Sequence, residues 1–522
     1  MKKIQIFDST LRDGAQARGI NYSLTDKINV LKLLDNFGID YIEAGNPASN
    51  PKEREFFNLA ANIKLSHSKL VAFGSTRRKN AKAEDDAGVQ ALLSANTDTV
   101  SIFGKTWDLH VTEVINTTLE ENLNMIYDTI SFFKQKGKEV IFDAEHYFDG
   151  YKANPEYAIQ VLQTAEKAGA DCLVLCDTNG GTMVCEMRSA VKKVAGSVKT
   201  DIGIHTHNDS ELAVANSLIA VEEGAVQVQG TLIGFGERCG NARLSSIIPN
   251  LELKMGYKCL PDGKLSEIYD VCRQLAELTN LVFDETMAYV GQNAFSHKGG
   301  MHIDGIKKAK GSFEHIEPSL VGNSREFLLS EVAGKSAMAS KLENDYPEVA
   351  KDKKKVAELM NRLKELENEG VSFEGAESSF KIFILKELGL HNPLFNLIHF
   401  KVFDEPAHHN TFGAYAVVKV DVNGQTRMTA ADGNGPVNAL DKALREALGE
   451  FFPKLMDVVL TDYKVRVLET NHATGATVRV IIESSDGKDT WRTVGVSTDV
   501  IEASLLALID SIDYKLLENE VQ

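Results

Sequence analysis

The chain has 522 residues, 43% of them hydrophobic and 25% charged. That length calls for two or three domains, and the composition excludes a disordered or fibrous chain. A formal net charge of −17 with no basic block argues against a nucleic-acid partner, and no apolar run approaches the length of a membrane span. Met1-Lys-Lys-Ile-Gln-Ile-Phe-Asp8 meets an acidic residue too early for a secretory signal. The expected location is the cytoplasm, where the six scattered cysteines, none in a C-x-x-C pair, are expected as free thiols.

From the N-terminus to about residue 245 one unit recurs: a short β-branched or aromatic run ends in small or polar residues, and a helical pattern follows. The runs are residues 4–7, 41–43, 70–73, 99–103, 140–142, 172–175, 202–204 and 226–230. Eight such units in about 250 residues predict an α/β fold, a (β/α)8 TIM barrel. An open doubly wound sheet is the alternative, weakened because no G-x-G-x-x-G follows the first run. The run ends read Asp8-Ser-Thr-Leu-Arg12-Asp13-Gly14, Glu43-Ala-Gly-Asn-Pro47, Phe73-Gly-Ser-Thr-Arg77, Phe103-Gly-Lys105, Asp143-Ala-Glu145-His146, Asp177-Thr178-Asn179, His205-Thr-His207-Asn-Asp209 and Gly236-Glu-Arg-Cys-Gly-Asn241. Barrel enzymes place their chemistry at such ends.

His205 and His207, two apart at the end of a strand, project to one side, as two imidazoles gripping one cation require. Asp13 after the first run and Asn241 after the eighth complete a mixed set, because the first and last strands close a barrel. Such a set suits Zn, Mn, Co or Mg, and without a Cys ligand it is unlike a closed structural zinc. Open positions on the ion would accept the ketone and carboxylate oxygens of a 2-oxo acid, with the ion as Lewis acid.

Residues 262–345 read as helical with Gly-rich breaks, and 346–393 as a charged, amphipathic connector with Leu359, Met360, Leu363 and Leu366 on one side. Residues 394–522 repeat a pattern of three strands and a helix twice, with no nucleophile or ligand cluster, as a sensor domain would. The barrel is then residues 1–261.

Asp8-Ser-Thr-Leu-Arg-Asp-Gly-Ala-Gln16, His205-Thr-His-Asn-Asp209 and Gly236-Glu-Arg-Cys-Gly-Asn-Ala242 resemble the 2-isopropylmalate, homocitrate and citramalate synthase family. Phe73-Gly-Ser-Thr-Arg-Arg78, Phe103-Gly-Lys-Thr-Trp-Asp-Leu-His-Val-Thr112 and His297-Lys-Gly-Gly-Met-His302 are similar to its citramalate synthase branch. The resemblance implies condensation of acetyl-CoA with a 2-oxo acid, pyruvate in that branch, followed by thioester hydrolysis. It implies that Arg12 holds the 2-oxo acid and stabilises its alkoxide, that Glu145 pairs with Arg12 and assists proton transfer, and that Thr178 binds the substrate carboxylate. On residue type alone, Glu145 is equally an orienting partner and Thr178 equally a helix cap. His302, reaching in from a partner subunit, would form the enolate. The family Tyr a few residues on is Phe313 here, which leaves His315, His297 or a water to serve instead. Phe73, Phe103 and Asp143 are candidate pocket walls. The resemblance also makes residues 394–522 a regulatory, dimerising domain that binds isoleucine, or leucine in the isopropylmalate branch. Rival readings are a 2-isopropylmalate or homocitrate synthase, an acyl-CoA lyase, and a silent metabolite sensor.

Overall fold

A computed structural model of the chain describes residues 1–328, 335–343, 345–406, 412–468 and 476–517. Eight parallel strands form a closed barrel in sequence order: β1 (Gln5–Asp8), β2 (Tyr41–Glu43), β3 (Lys69–Ser75), β4 (Thr99–Lys105), β5 (Glu139–Glu145), β6 (Cys172–Asp177), β7 (Asp201–Thr206) and β8 (Gln227–Gly230). β1 pairs with β8, Phe7 opposite Gln229 and Asp8 opposite Gly230, so the sheet has no edge and the open-sheet alternative is excluded.

The two-residue period of a strand sorts each run into an outward and an inward set. Outward residues such as Ile6, Ile42, Ala72, Val100, Ile102 and Phe142 join the core under the helices. Inward residues Phe7, Tyr41, Val71, Ile141, Cys172, Val174 and Cys176 fill the barrel as a separate apolar layer. At one end of that layer Glu139 accepts from Tyr41, Thr99 and Lys69, a polar plug. At the other end the inward positions turn polar and the site begins. Local signals set the helices between: Leu24–Phe37 starts in a reciprocal capping box of Ser23 with Asp26, and Pro155–Ala168 starts after Asn154 and stops at Gly169, whose φ of 99° no β-carbon favours.

Two compact units are present, Met1–Phe295 with Ile316–Arg325, and Ser296–His315 with Glu326–Gln522. In the second, β9 (Ser296–His297) pairs in parallel with β10 (Glu326–Phe327). The duplicated pattern forms two antiparallel three-stranded sheets. One holds β11 (Asn396–Pro406), β12 (Phe412–Val422) and β13 (Gln425–Gly433); the other holds β14 (Val459–Val467), β15 (Val478–Ser485) and β16 (Thr490–Ser497). Helices Pro436–Gly449 and Val500–Leu517 follow them, and Val418, Leu440, Leu444, Ile482, Leu508 and Ile512 from both repeats share one core. The helix Lys353–Asn368 keeps its charges in solvent. Its stripe of Val356, Leu359, Met360 and Leu363 is seated against Phe373, Phe380, Phe383 and Val494 rather than bridging free. An apolar stripe of that width is buried against a partner.

Candidate active site at the barrel mouth

The residues that end the strands meet because β4 and β5 continue two and three residues beyond their apolar runs and keep the inward parity. Inward positions Glu43, Phe73, Phe103, Lys105, Asp143, Glu145, His205 and Gln229 stand above the apolar layer, and Thr178 and His207 lie just past the strand ends. A cavity of about 320 Å³ opens among them. Arg12, Asp13, Glu145, Thr178, His205 and His207 line it, with Phe73, Phe103 and Asp143 as walls.

One atom each of Asp13, His205 and His207 lies within 4.8 Å of the others, and all three residues are buried. His205 Nε2 is 3.3 Å from His207 Nε2, and His207 Nε2 is 3.8 Å from Asp13 Oδ2. Burial, with His207 alongside, pushes His205 down to about 3, and burial lowers His207 as well. Both imidazoles are therefore neutral near pH 7, and two nitrogen lone pairs this close require a proton or a cation between them. Burial works to raise the Asp13 carboxyl, but Arg12, the two histidines and the Asn241 amide hold it below the ordinary carboxylate range. Asn241 bridges to His207 by an isolated backbone pairing and donates to Asp13 Oδ1 at 2.6 Å. Its own Oδ1 is buried without a partner among the described residues. An anionic carboxylate, two neutral imidazoles and an unsatisfied amide oxygen fit a divalent cation.

Arg12 donates from Nε to Glu43 Oε2 at 2.6 Å and from Nη1 to Asp13 Oδ2 at 2.7 Å, with its guanidinium 4.0 Å over the Phe73 ring. Ser9 braces Glu43 at 2.6 Å. The expected Arg12–Glu145 pair is not formed. β2 adjoins β1 and brings Glu43 to Arg12, whereas β5 lies across the barrel, where Glu145 pairs with Lys105. Asp143, fully buried and next to Glu43, is pushed up to about 7 by burial first and by that like charge second. Thr178 Oγ1 accepts from His146 N at 2.9 Å and holds His146 in a left-handed conformation with φ of 57°. The next helix begins only at Val184, so Thr178 does not cap it.

His302 lies in the second unit on helix Gly300–Lys308, exposed, its ring stacked on Phe313 at 4.3 Å. His297 Nε2 lies 3.0 Å from Glu314 Oε1. Glu43, Lys105 and Gln229 are site residues that residue-by-residue reading passed over. The signal was the alternation within each strand, Glu43 two residues after Tyr41, Lys105 two after Phe103 and Gln229 two after Gln227. All six cysteines are free thiols, four of them buried. Among the described residues no helix is long and apolar enough to cross a membrane.

Residues 3–275 match the family described as HMGL-like, residues 289–371 the homocitrate synthase post-HMGL domain-like family, and residues 374–516 the LeuA allosteric (dimerisation) domain. Fold and site thus define an HMGL-like catalytic barrel joined to a LeuA-type domain. The (R)-citramalate synthase of Aquifex aeolicus (strain VF5) is 50% identical over 99% of this chain and 99% of its own. That of Geobacter sulfurreducens is 48% identical over 100% and 99%. The probable 2-isopropylmalate synthase of Methanopyrus kandleri is 31% identical over 98% of each. The chain belongs to the (R)-citramalate synthase family.

Proposed function

We propose that the chain joins acetyl-CoA to pyruvate and hydrolyses the resulting thioester, releasing (R)-citramalate and CoA. The observation that carries this reading is the convergence of Arg12, Asp13, His205 and His207 on one cavity at the barrel mouth. Near-full-length identity of 43–50% to five (R)-citramalate synthases, against 31–32% to 2-isopropylmalate synthases, favours pyruvate over a longer 2-oxo acid. The Phe73 and Phe103 rings, stacked at 5.3 Å, form a wall that suits a methyl group.

Asp13, His205, His207 and Asn241 would hold a divalent cation (Zn, Mn, Co or Mg), which supplies Lewis-acid polarisation of the ketone. Arg12 binds the 2-oxo acid. Burial alone would ease its proton off, but Glu43, Asp13 and Asp143 keep it charged, so a fixed cation waits where the alkoxide develops. Thr178, whose oxygen already accepts from His146, has its own proton to donate to the substrate carboxylate. His302 of the partner subunit removes a proton from the acetyl methyl, and the enolate carbon bonds to the ketone carbon of pyruvate. The Lys105–Glu145 pair returns a proton to the new alkoxide. Water then adds to the thioester carbonyl and the C–S bond breaks, with CoA leaving as the thiol. Residues 394–522 would bind isoleucine as end-product effector and join two chains in a homodimer, a reading supported by the match to a LeuA allosteric (dimerisation) domain.

The test is CoA release from acetyl-CoA with a panel of 2-oxo acids, before and after chelation. Chelation-sensitive turnover greatest with pyruvate is expected. Preference for 2-oxoisovalerate or 2-oxoglutarate would overturn the substrate, and absence of turnover with every acid the reaction.

A further inference from the structure

Beneath the proposed metal ligands runs a buried chain of hydrogen-bonded side chains in which Ser101 and Gln229 have no role in the proposed reaction steps. Gln229 on β8 is fully buried, and its amide is fixed from both ends. Its Nε2 donates to Asp143 Oδ1 and to Gln227 Oε1, each at 3.3 Å. Asp143 is braced in turn by Ser101, whose Oγ donates to Asp143 Oδ2 at 3.0 Å. An amide whose nitrogen faces two acceptors must present its oxygen on the other side. That oxygen lies 3.0 Å from His205 Nδ1. An oxygen there only accepts, so Nδ1 carries the imidazole proton and the lone pair of His205 resides on Nε2. This is the atom that faces His207 Nε2 at 3.3 Å. Ser101, Asp143, His205 and Gln229 are 5% exposed or less, and all occupy inward positions of β4, β5, β7 and β8.

We propose that Gln229 and Asp143 are positioning residues of the metal site: the chain from Ser101 through Asp143 and Gln229 locks His205 in the one tautomer and ring orientation that offers Nε2 to a divalent cation. The inference rests on the metal-site reading above. Partners of this kind, one bond removed from a ligand, typically change metal affinity about 10–100-fold when lost.

The experiment titrates Mn²⁺ calorimetrically into the full-length chain after removal of bound metal by chelation, in the absence of substrates. Gln229→Met keeps the approximate length and volume of the side chain and removes all three of its amide hydrogen bonds. Its Kd should rise about 10–100-fold with circular dichroism unchanged. Gln229→Glu retains an acceptor for Nδ1–H and should bind about tenfold more tightly than Gln229→Met. Asp143→Ala, which never touches His205, should weaken binding about threefold or more by freeing the Gln229 amide, and it keeps the test open should Gln229→Met not fold. A wild-type Kd in Gln229→Met or in Asp143→Ala would overturn the relay while leaving the metal site standing. Failure of the wild-type chain itself to bind Mn²⁺ would overturn the metal reading and the relay with it.

Discussion

At residue 313 one oxygen atom separates this chain from the pattern its family resemblance implies. The Phe313 ring stacks on His302 at 4.3 Å and orders the imidazole without offering it a proton. If a hydroxyl there normally assists proton transfer, Phe313→Tyr should raise kcat by about 100-fold, the low end of what a positioned acid supplies. An unchanged kcat would assign that proton to another group. His207→Ala should bring bound metal from about one equivalent to below about a tenth, with activity lost in parallel, because two neutral imidazoles are half of the donor set. Metal analysis after dialysis checks this, and retention of one equivalent would remove His207 from the ligand set. A third residue reports on the barrel rather than the chemistry. Asp8 is fully buried, and burial pushes it up from 3.8 to about 7. Between those values the folded chain keeps a proton that the unfolded chain has lost, so the folded state binds more protons and stability falls as pH rises. The contribution is intact below about pH 4 and is lost by about pH 7, at about 1.4 kcal/mol per unit. Asp8→Asn should flatten that slope in denaturant melts from about pH 4 to 7; an unaltered slope would assign it elsewhere.

At the scale of elements, the strands were legible in the sequence because each is an apolar run cut off by small or ionisable residues. The approach of His205 and His207 was legible because the H-x-H spacing at a strand end puts both imidazoles on one side. The partnership of Arg12 was not. Which carboxylate reaches a guanidinium depends on strand adjacency across about 30 residues in one case and about 130 in the other, and a strand's periodicity carries no such information. Glu43 wins because β1 and β2 are neighbours. Gln229, and the hydrogen bond that ties Asp143 to it, were hidden for a different reason. A buried amide or carboxyl in a parallel barrel is surrounded by apolar neighbours in sequence, and its partners lie on other strands. The loop after β8 shows how tightly the elements are set. A β-carbon on Gly236 would come within 2.1 Å of Asn241 Nδ2 and 2.9 Å of Asp13 Oδ1. Gly236→Ala should therefore displace two proposed ligands and weaken metal binding by about tenfold or more, with little change in thermal stability, since the loop lies outside the barrel core. Wild-type affinity in this variant would place neither Asp13 nor Asn241 on the ion.

At the scale of the molecule, the duplicated C-terminal domain is not an appendage that can be cut away without trace. Val494, and in part Ile481 and Val496, from the second repeat complete the cluster built by Phe373, Phe380, Phe383 and the stripe of helix Lys353–Asn368. Polar ties reinforce the join: Ser379 Oγ accepts from Val494 N at 3.0 Å and donates to Asp510 at 2.8 Å, and His391 lies 3.2 Å from Asp513. Ending the chain after residue 390 strips these partners and leaves several large aromatic side chains open to water, each worth about 1.5–3 kcal/mol when buried. The barrel has its own core and its own closed sheet, so it should keep a separate cooperative melting transition. Inhibition by isoleucine, expected of the full chain, should vanish from the truncated one, while helices between residues 335 and 390 become sensitive to limited proteolysis. Calorimetry, digestion and an inhibition curve read the three outcomes separately. Inhibition that survives the truncation would move the effector site out of residues 394–522. Loss of the barrel's own transition from the truncated chain would make the two units one cooperative body.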